Sequence, residues 1–245
     1  MSRFFDLTDK TILVTGASSG IGRQAAISIS QRGGRLVITG RNLERLKQTY
    51  DSLEGSHHVL LQADLTIPRS REYIIPHIPE INGLVNCAGQ IKLYPHKIYS
   101  DKRINELFSI NYEAAALFTS ELLNKKKILD AASIIFITSV MSLVGTETNG
   151  IYAGTKGALA GTMKCLALEL APRRIRVNCI APAFVRTPML DRLSAQVDIA
   201  SFERRHPLGL GEAEDVANSI VYLLASESRW ITGTILILDG GYCAK

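Results

Sequence analysis

No stretch of the chain approaches the roughly 18 to 20 consecutive apolar residues that a membrane helix requires. The longest apolar runs, such as Ser133-Ile-Ile-Phe-Ile-Thr138, are of strand length, so no membrane association is expected. The N-terminal Met1-Ser-Arg-Phe-Phe-Asp-Leu7 lacks the continuous apolar segment and small-residue cleavage site of a secretory signal, which points to a cytoplasmic protein. Cysteine is scarce. Cys87, Cys165, Cys179 and Cys243 form no C-x-x-C pair and have no partnered His spacing, arguing against a disulfide framework and against a zinc or other metal site. The four thiols read as buried and reduced. Repeats, linkers and low-complexity segments are missing too. At 245 residues the chain has room for one sizeable core and not for two.

A block of like charge is also missing. Lys and Arg number 28 against 23 Asp and Glu, a net charge of +5, but the basic residues are scattered and only Lys125-Lys126-Lys127 forms a run. That run reads as a solvated helix end, favoured by the helix dipole. No recognition motif accompanies the charge, so a nucleic-acid partner is not expected.

What the sequence does contain is a regular alternation. Short β-branched runs at 11–15, 35–39, 58–62, 83–86, 133–138, 176–180 and 235–238 read as buried parallel strands. Segments with helical spacing lie between them, at about 20–32, 42–53, 69–78, 101–126, 150–171 and 212–225. The pattern predicts an α/β fold, a doubly wound parallel sheet of about seven strands with helices on both faces. Ligands of such a sheet bind beyond the carboxyl ends of the strands, where the strand order reverses. The residues just after the strands are Gly16-Ala-Ser-Ser-Gly-Ile-Gly22, Gly40-Arg41, Ala63-Asp64, Cys87-Ala-Gly89, Ser139 and Ala181-Pro182, small and polar as a cofactor cleft requires.

Gly16, Gly20 and Gly22 follow the first strand and open the first helix. Glycines there permit a tight turn, close approach of a pyrophosphate to bare backbone, and close helix-on-strand packing. About 20 residues on, the second strand ends Ile38-Thr39-Gly40-Arg41, where an acid would bind the ribose hydroxyls of NAD. There is no acid. Arg41 can instead grip a 2′-phosphate, which favours NADP(H), although it could equally start the next helix in solvent. Asp64 could accept a hydrogen bond from an adenine amino group or cap a turn.

Tyr152 and Lys156 are four apart at the start of a helical segment, so they share one helix face. Of the eight tyrosines, only Tyr152 has lysine at this offset. An isolated phenol has a pKa around 10; an adjacent ammonium is expected to lower it, so that the hydroxyl can give and take a proton. Ser139, after the fifth strand, could hold the reacting oxygen against Tyr152. Each residue also has an ordinary reading, as a surface tyrosine, its solvated neighbour and a turn hydroxyl, and it is their combination that points to chemistry.

On these residues the chain resembles the short-chain dehydrogenase/reductase family over essentially its whole length, most of all its 3-oxoacyl-[acyl-carrier-protein] reductases. Thr15-Gly-Ala-Ser-Ser-Gly-Ile-Gly22 matches the cofactor turn, Asn86-Cys-Ala-Gly89 the sheet motif, and Ser139, Tyr152 and Lys156 the catalytic set. The closing Leu236-Ile-Leu-Asp-Gly-Gly-Tyr242 matches as well. The resemblance implies a single NADP(H)-binding Rossmann domain over residues 1–245, with substrate loops at 90–100, 140–151 and 183–210. It implies an oxidoreductase that moves a hydride between the nicotinamide and a carbonyl or alcohol. The substrate would be a 3-oxoacyl thioester or, alternatively, a small ketone, sugar or polycyclic alcohol. A catalytically idle NADP(H) sensor is the reading from another class.

The resemblance adds Asn111, in Phe108-Ser-Ile-Asn111, as the fourth member of the catalytic set, supporting a water relay to Lys156. As cofactor contacts it implies Gly16, Ser18, Ser19, Gly20, Ile21, Gly22, Arg41, Asp64, Leu65, Asn86, Ala88, Gly89, Tyr152, Lys156, Pro182, Val185 and Thr187. Lys156 would contact the nicotinamide ribose and Thr187 the carboxamide. In that family basic residues near the active-site mouth receive the acidic acyl carrier protein, and Lys125 to Lys127 with Arg173-Arg174 fall in matching regions. The family's homotetramers form through two long helices and the C-terminal strand, which Ala114-Ala-Ala-Leu-Phe118 and Ala158-Leu-Ala-Gly161 fit. Two positions depart from the pattern. Cys87 replaces the second Asn of the sheet motif, and Ala183 stands after Pro182 where the family usually has Gly, placing the cofactor pose in question. In the first substrate loop Tyr94, Pro95, His96 and Tyr99 could line an aromatic pocket or only pack the loop, and His96 reads as structural.

Overall fold

The computed structural model describes residues 4–193 and 198–244. Residues 194–197 of the predicted substrate loop 183–210 lie outside the described residues, as do residues 1–3 and 245.

Strands and helices follow in the order β1 (Thr11–Thr15), α1 (Gly20–Gln31), β2 (Arg35–Gly40), α2 (Leu43–Tyr50), β3 (Val59–Gln62), α3 (Pro68–Ile74), β4 (Ile81–Asn86), α4 (Asp101–Phe108), α5 (Ala114–Asn124), β5 (Ile128–Ile137), α6 (Gly150–Leu170), β6 (Arg176–Pro182), β7 (Val185–Arg186), α7 (Pro188–Leu193), α8 (Ile199–Arg204), β8 (Gly211–Glu212), α9 (Ala213–Leu224) and β9 (Ile235–Leu238). Seven strands form one parallel sheet in the order β3-β2-β1-β4-β5-β6-β9. The order reverses between β1 and β4, which sets the switch point beside the glycine turn. This is the Rossmann arrangement.

The inner strands β1, β4 and β6 are buried at almost every position because both faces are covered. Alternate residues go to opposite cores. Leu13, Val37, Leu84, Ile134, Phe136 and Val177 face α3, α5 and α6, where Phe118 and Met163 fill the interior. Ile12, Val14, Leu36, Ile38, Val85 and Ile135 face α1, α2 and α9, meeting Ile29, Leu46 and Ile220. Each fully buried side chain of this size contributes about 1.5–3 kcal/mol.

Three departures from the sequence reading have physical causes. The segment read as one helix over 101–126 is α4, a π-helical turn at Ser109–Glu113, and α5. Hydrophobic periodicity runs through this insertion, while the backbone takes one wide turn to bury Asn111. β5 begins at Ile128, five residues before the predicted start, because Ala131 adopts φ +60° and the pairing with β4 shifts register there. Within residues 183–210, read only as a loop, lie α7, α8 and strand β7, which pairs in parallel with β8. These elements are too short to carry a readable period. Among the described residues no helix is long and apolar enough to cross a membrane.

Candidate active site

The carboxyl ends of β1, β2, β4, β5 and β6 open into one cleft of about 990 Å³, walled on its other side by residues 90–94 and by residues of α7. All the predicted cofactor contacts except Asn86 line this cleft.

The glycine turn fits a pyrophosphate. A Cβ on Gly16, at φ +66°, would come within 2.8 Å of the Ala88 backbone, and one on Gly22 would collide with the Gly16 carbonyl. Gly20, at φ +53°, opens α1, and a Cβ there would project to 3.4 Å from Thr187 across the cleft. Ser19 makes no capping hydrogen bond from its side chain and the first turn of α1 holds no acid. The first N–H groups and the positive end of the helix dipole therefore stand open to an anion.

At the end of β2, Gly40 leaves room for the Ser18 hydroxyl, 3.2 Å from where a Cβ would stand. The Arg41 side chain is 62% exposed on the cleft wall, its Nη1 3.9 Å from Asp64 Oδ2. It does not start the helix: Asn42 is the N-cap of α2, accepting from the Arg45 N–H. Arg45 joins Arg41 in the wall, a second cation that the sequence reading missed because its position marks it only as a first-turn helix residue. Asp64 caps its own turn, with Oδ1 accepting from both the N–H and the hydroxyl of Thr66.

Asn86 does not line the cleft. As the last residue of β4 it turns toward α5, donating from Nδ2 to Thr119 Oγ1 at 3.3 Å, and the next residue, Cys87, occupies the wall instead. Asn111 is likewise behind the wall and fully buried. Its Oδ1 accepts from the Gln90 N–H at 2.8 Å, while its Nδ2 donates to the Gln90 carbonyl at 2.9 Å and to Thr155 Oγ1. A Cβ on Gly89 would press on both Asn111 Oδ1, at 3.1 Å, and Lys156 Nζ, at 3.5 Å.

Ser139, Tyr152 and Lys156 meet at the cleft floor, each nearly buried. Ser139 Oγ donates to the Pro182 carbonyl and accepts from the Met141 N–H. Lys156 Nζ donates to the Ile137 carbonyl at 2.8 Å and stands 5.8 Å from the Tyr152 ring centroid. The expected lowering of the tyrosine pKa is corrected here. Burial pushes the phenol up to about 12, and the Ser139 hydroxyl offsets only part of this. Spacing along the helix shows the neighbouring ammonium and not the desolvation of the phenol, which is the larger effect. Burial also pushes Lys156 down to about 8, against the opposing pull of Cys87 and Cys179.

Ala183 causes no strain. Its backbone is not left-handed, its N–H donates to the Leu238 carbonyl, and its side chain packs with Met141, Tyr152 and Tyr242. The segment after it is held by an aromatic stack: Phe184 on Phe202 at 4.2 Å and His206 on Tyr242 at 4.8 Å, with the Arg205 guanidinium 4.9 Å from the Tyr242 ring. Residues 90–100 are tied to residues 140–151 by the Tyr94 N–H, which donates to the Thr148 carbonyl. Tyr94 lines the cleft, with Arg103 behind its ring, while His96 packs on Tyr99 outside it.

Two further expectations are overturned. Lys125–Lys127 and Arg173-Arg174 precede β5 and β6, so they lie at the amino-terminal edge of the sheet, opposite the cleft. A ten-residue strand separates them from Ser139 by about 30 Å. Of the thiols only Cys179 is fully buried, whereas Cys165 is exposed on α6 and Cys87 and Cys243 are half-buried.

A doubly wound sheet with an open glycine turn and a Ser-Tyr-Lys cluster at its carboxyl edge defines a nucleotide-dependent oxidoreductase acting on CH–OH and C=O groups. Residues 16–243 match a family model described as enoyl-(acyl carrier protein) reductase. The chain is similar to the 3-oxoacyl-[acyl-carrier-protein] reductase of Mus musculus, 35% identical over 95% of this chain and 98% of that protein. The reductase of the same description from Rickettsia bellii is 32% identical over 96% and 98%. Among solved structures, a putative short-chain alcohol dehydrogenase from Sinorhizobium meliloti 1021 superimposes with a TM-score of 0.91, at 29% identity over 99% of this chain and 100% of that one. The chain belongs to the short-chain dehydrogenase/reductase family, whose members use NAD(P)(H).

Proposed function

We propose that this chain is an NADPH-dependent reductase of 3-oxoacyl thioesters, built as a single cofactor-binding domain over residues 1–245 with substrate loops at 90–100, 140–151 and 183–210. The observation that carries the cofactor assignment is the pair Arg41 and Arg45 on the cleft wall at a β2 end that has no acid. Two guanidiniums there suit a 2′-phosphate. The turn Gly16–Gly22 would hold the pyrophosphate, Asp64 and Leu65 the adenine end, and Pro182, Val185 and Thr187 the nicotinamide. Tyr152 and Lys156 would meet the adjoining ribose.

A nicotinamide bound in this cleft supplies a hydride to the carbonyl carbon. Tyr152, and Ser139 once its hydroxyl rotates from the Pro182 carbonyl 3.4 Å away, donate hydrogen bonds to the carbonyl oxygen, where negative charge develops. Tyr152 then releases its proton to that oxygen. A phenol held near 12 still gives its proton readily to an alkoxide, a far stronger base, and it keeps that proton at neutral pH until the alkoxide forms. The Lys156 ammonium steadies the charge left on the phenolate and is positioned from behind by the Ile137 carbonyl. Asn111 fixes the Gln90 backbone beside them.

Ile91, Leu93, Met141, Leu190 and Leu193 give the substrate side an apolar wall, which suits an acyl chain better than a sugar. With the basic tracts on the opposite edge and Arg41 and Arg45 taken by the 2′-phosphate, an acidic carrier protein would dock on Lys92 and Arg192 at the mouth. Exposed Leu117 on α5, Leu168 on α6 and Ile237 on the edge strand β9 support assembly as a homotetramer. The test is Arg41→Asp: the preference for NADPH over NADH should fall by about a hundredfold, as expected for a charge reversal against a phosphate. Unchanged NADPH affinity would show that the 2′-phosphate lies elsewhere.

A further inference from the structure

Arg71, on α3, is 4% exposed and uses all three guanidinium nitrogens at once. Its Nε donates to both carboxylate oxygens of Glu121, on α5, at 3.0 Å, and its Nη2 stands 2.9 Å from Glu121 Oε1. Its Nη1 donates to the Leu65 carbonyl at 2.8 Å. The pair is buried on its arginine side and 32% exposed on its glutamate side, so it adds little to the stability of the fold: solvent screens the attraction, and desolvation of the guanidinium offsets much of the rest. The third contact is the one an apolar pair could not make.

That contact falls on the turn after β3. The neighbouring polar groups of the turn are also committed: the Asp64 N–H donates to Ser70 Oγ on α3, the Ile67 N–H to the Asp64 carbonyl, and Asp64 Oδ1 accepts twice from Thr66. The free oxygen of Asp64 is then left facing Arg41. The rigid guanidinium fork of Arg71 thus ties α5 to the wall formed by Asp64, Leu65 and Thr66. We propose that Arg71, held by Glu121, is a positioning residue for the adenine end of the cofactor site. This rests on the reading above that Asp64 and Leu65 receive that end.

The experiment is calorimetric titration of 2′,5′-ADP, a fragment that carries the adenine and the 2′-phosphate without the nicotinamide, into the full-length protein. It compares wild type, Glu121→Gln and the double variant Arg71→Met with Glu121→Leu, alongside KM for NADPH and kcat. The double variant should keep or raise the melting temperature, yet bind 2′,5′-ADP about tenfold more weakly, a loss of about 1.4 kcal/mol. Its KM for NADPH should rise in parallel while kcat stays within about twofold of wild type. If the double variant fails to fold, Glu121→Gln carries the same expectation at about fivefold. Wild-type affinity in a folded variant, or equal losses in kcat and affinity, would overturn the positioning role. Failure of the wild type itself to bind 2′,5′-ADP would instead overturn the cofactor reading beneath it, and the inference with it.

Discussion

Lys156 carries the sharpest pH signature of any single residue in the site. Its folded pKa is about 8, below the 10.5 it has in water, so the folded chain gives up this proton earlier than the unfolded chain. Between those values the unfolded state binds more protons, and stability rises with pH. The cost of burying the ammonium is therefore fully present below about pH 8 and is gone above 10.5. Lys156→Met should be more stable than wild type at pH 7, by on the order of 1–2 kcal/mol, and the gap should close as pH approaches 10.5. Denaturant melts at several pH values measure this. In the reductive direction kcat should fall above pH 8 as the charge beside Tyr152 disappears. Tyr152→Phe keeps the ring's packing and loses the proton, so turnover should drop by roughly a thousandfold or more while NADPH binding, followed by fluorescence titration, stays close to wild type.

At the scale of elements, Thr148 is the strained joint. It takes φ +65° two residues before α6, a conformation that costs a β-branched residue about 1–2 kcal/mol. Its carbonyl is the acceptor that ties residues 90–100 to residues 140–151. Thr148→Asn, which tolerates the left-handed region, should raise stability by about 0.5–1 kcal/mol with the tie intact, as thermal melts and kcat together would register. Most of the elements that frame the site were legible in the sequence, because strand-length apolar runs and helical periods are direct consequences of burial on two faces. The glycine turn, Arg41, Ser139 and the Tyr152–Lys156 spacing could be read for the same reason: each is local along the chain. What escaped reading depends on contacts between distant segments. The π turn that buries Asn111 leaves no mark on the hydrophobic period, and Asn111 itself was reached only through family resemblance. Neither the turn of Asn86 toward Thr119 nor the join of Arg71 to Leu65 and Glu121 leaves a spacing to find.

For the whole molecule, the two ends of the sheet have different tasks. The carboxyl edge holds the cleft and its ring of cations, while the amino edge carries Lys125–Lys127 and Arg173, which pairs with Asp130 at 2.8 Å. Reversing the charge of Lys125 and Lys126 should leave kcat/KM for an acyl-carrier-protein substrate within about twofold of wild type. Reversing Arg192 at the mouth should lower it by roughly tenfold at low salt, and the difference should shrink as ionic strength rises. Leu168→Glu, placing a charge at an exposed apolar side chain of α6, should shift the proposed homotetramer to a smaller species on size-exclusion chromatography with light scattering.

The most direct measurement is steady-state oxidation of NADPH and NADH in parallel, with acetoacetyl and crotonyl thioesters beside simple ketones and sugars. The proposed reductase activity predicts fast turnover of the acetoacetyl thioester with NADPH, turnover at least about tenfold slower with NADH, and none of the crotonyl thioester, whose hydride-accepting β-carbon bears no oxygen for Ser139 and Tyr152 to hold. Preference for NADH, or NADPH binding with no turnover of any carbonyl, would contradict it.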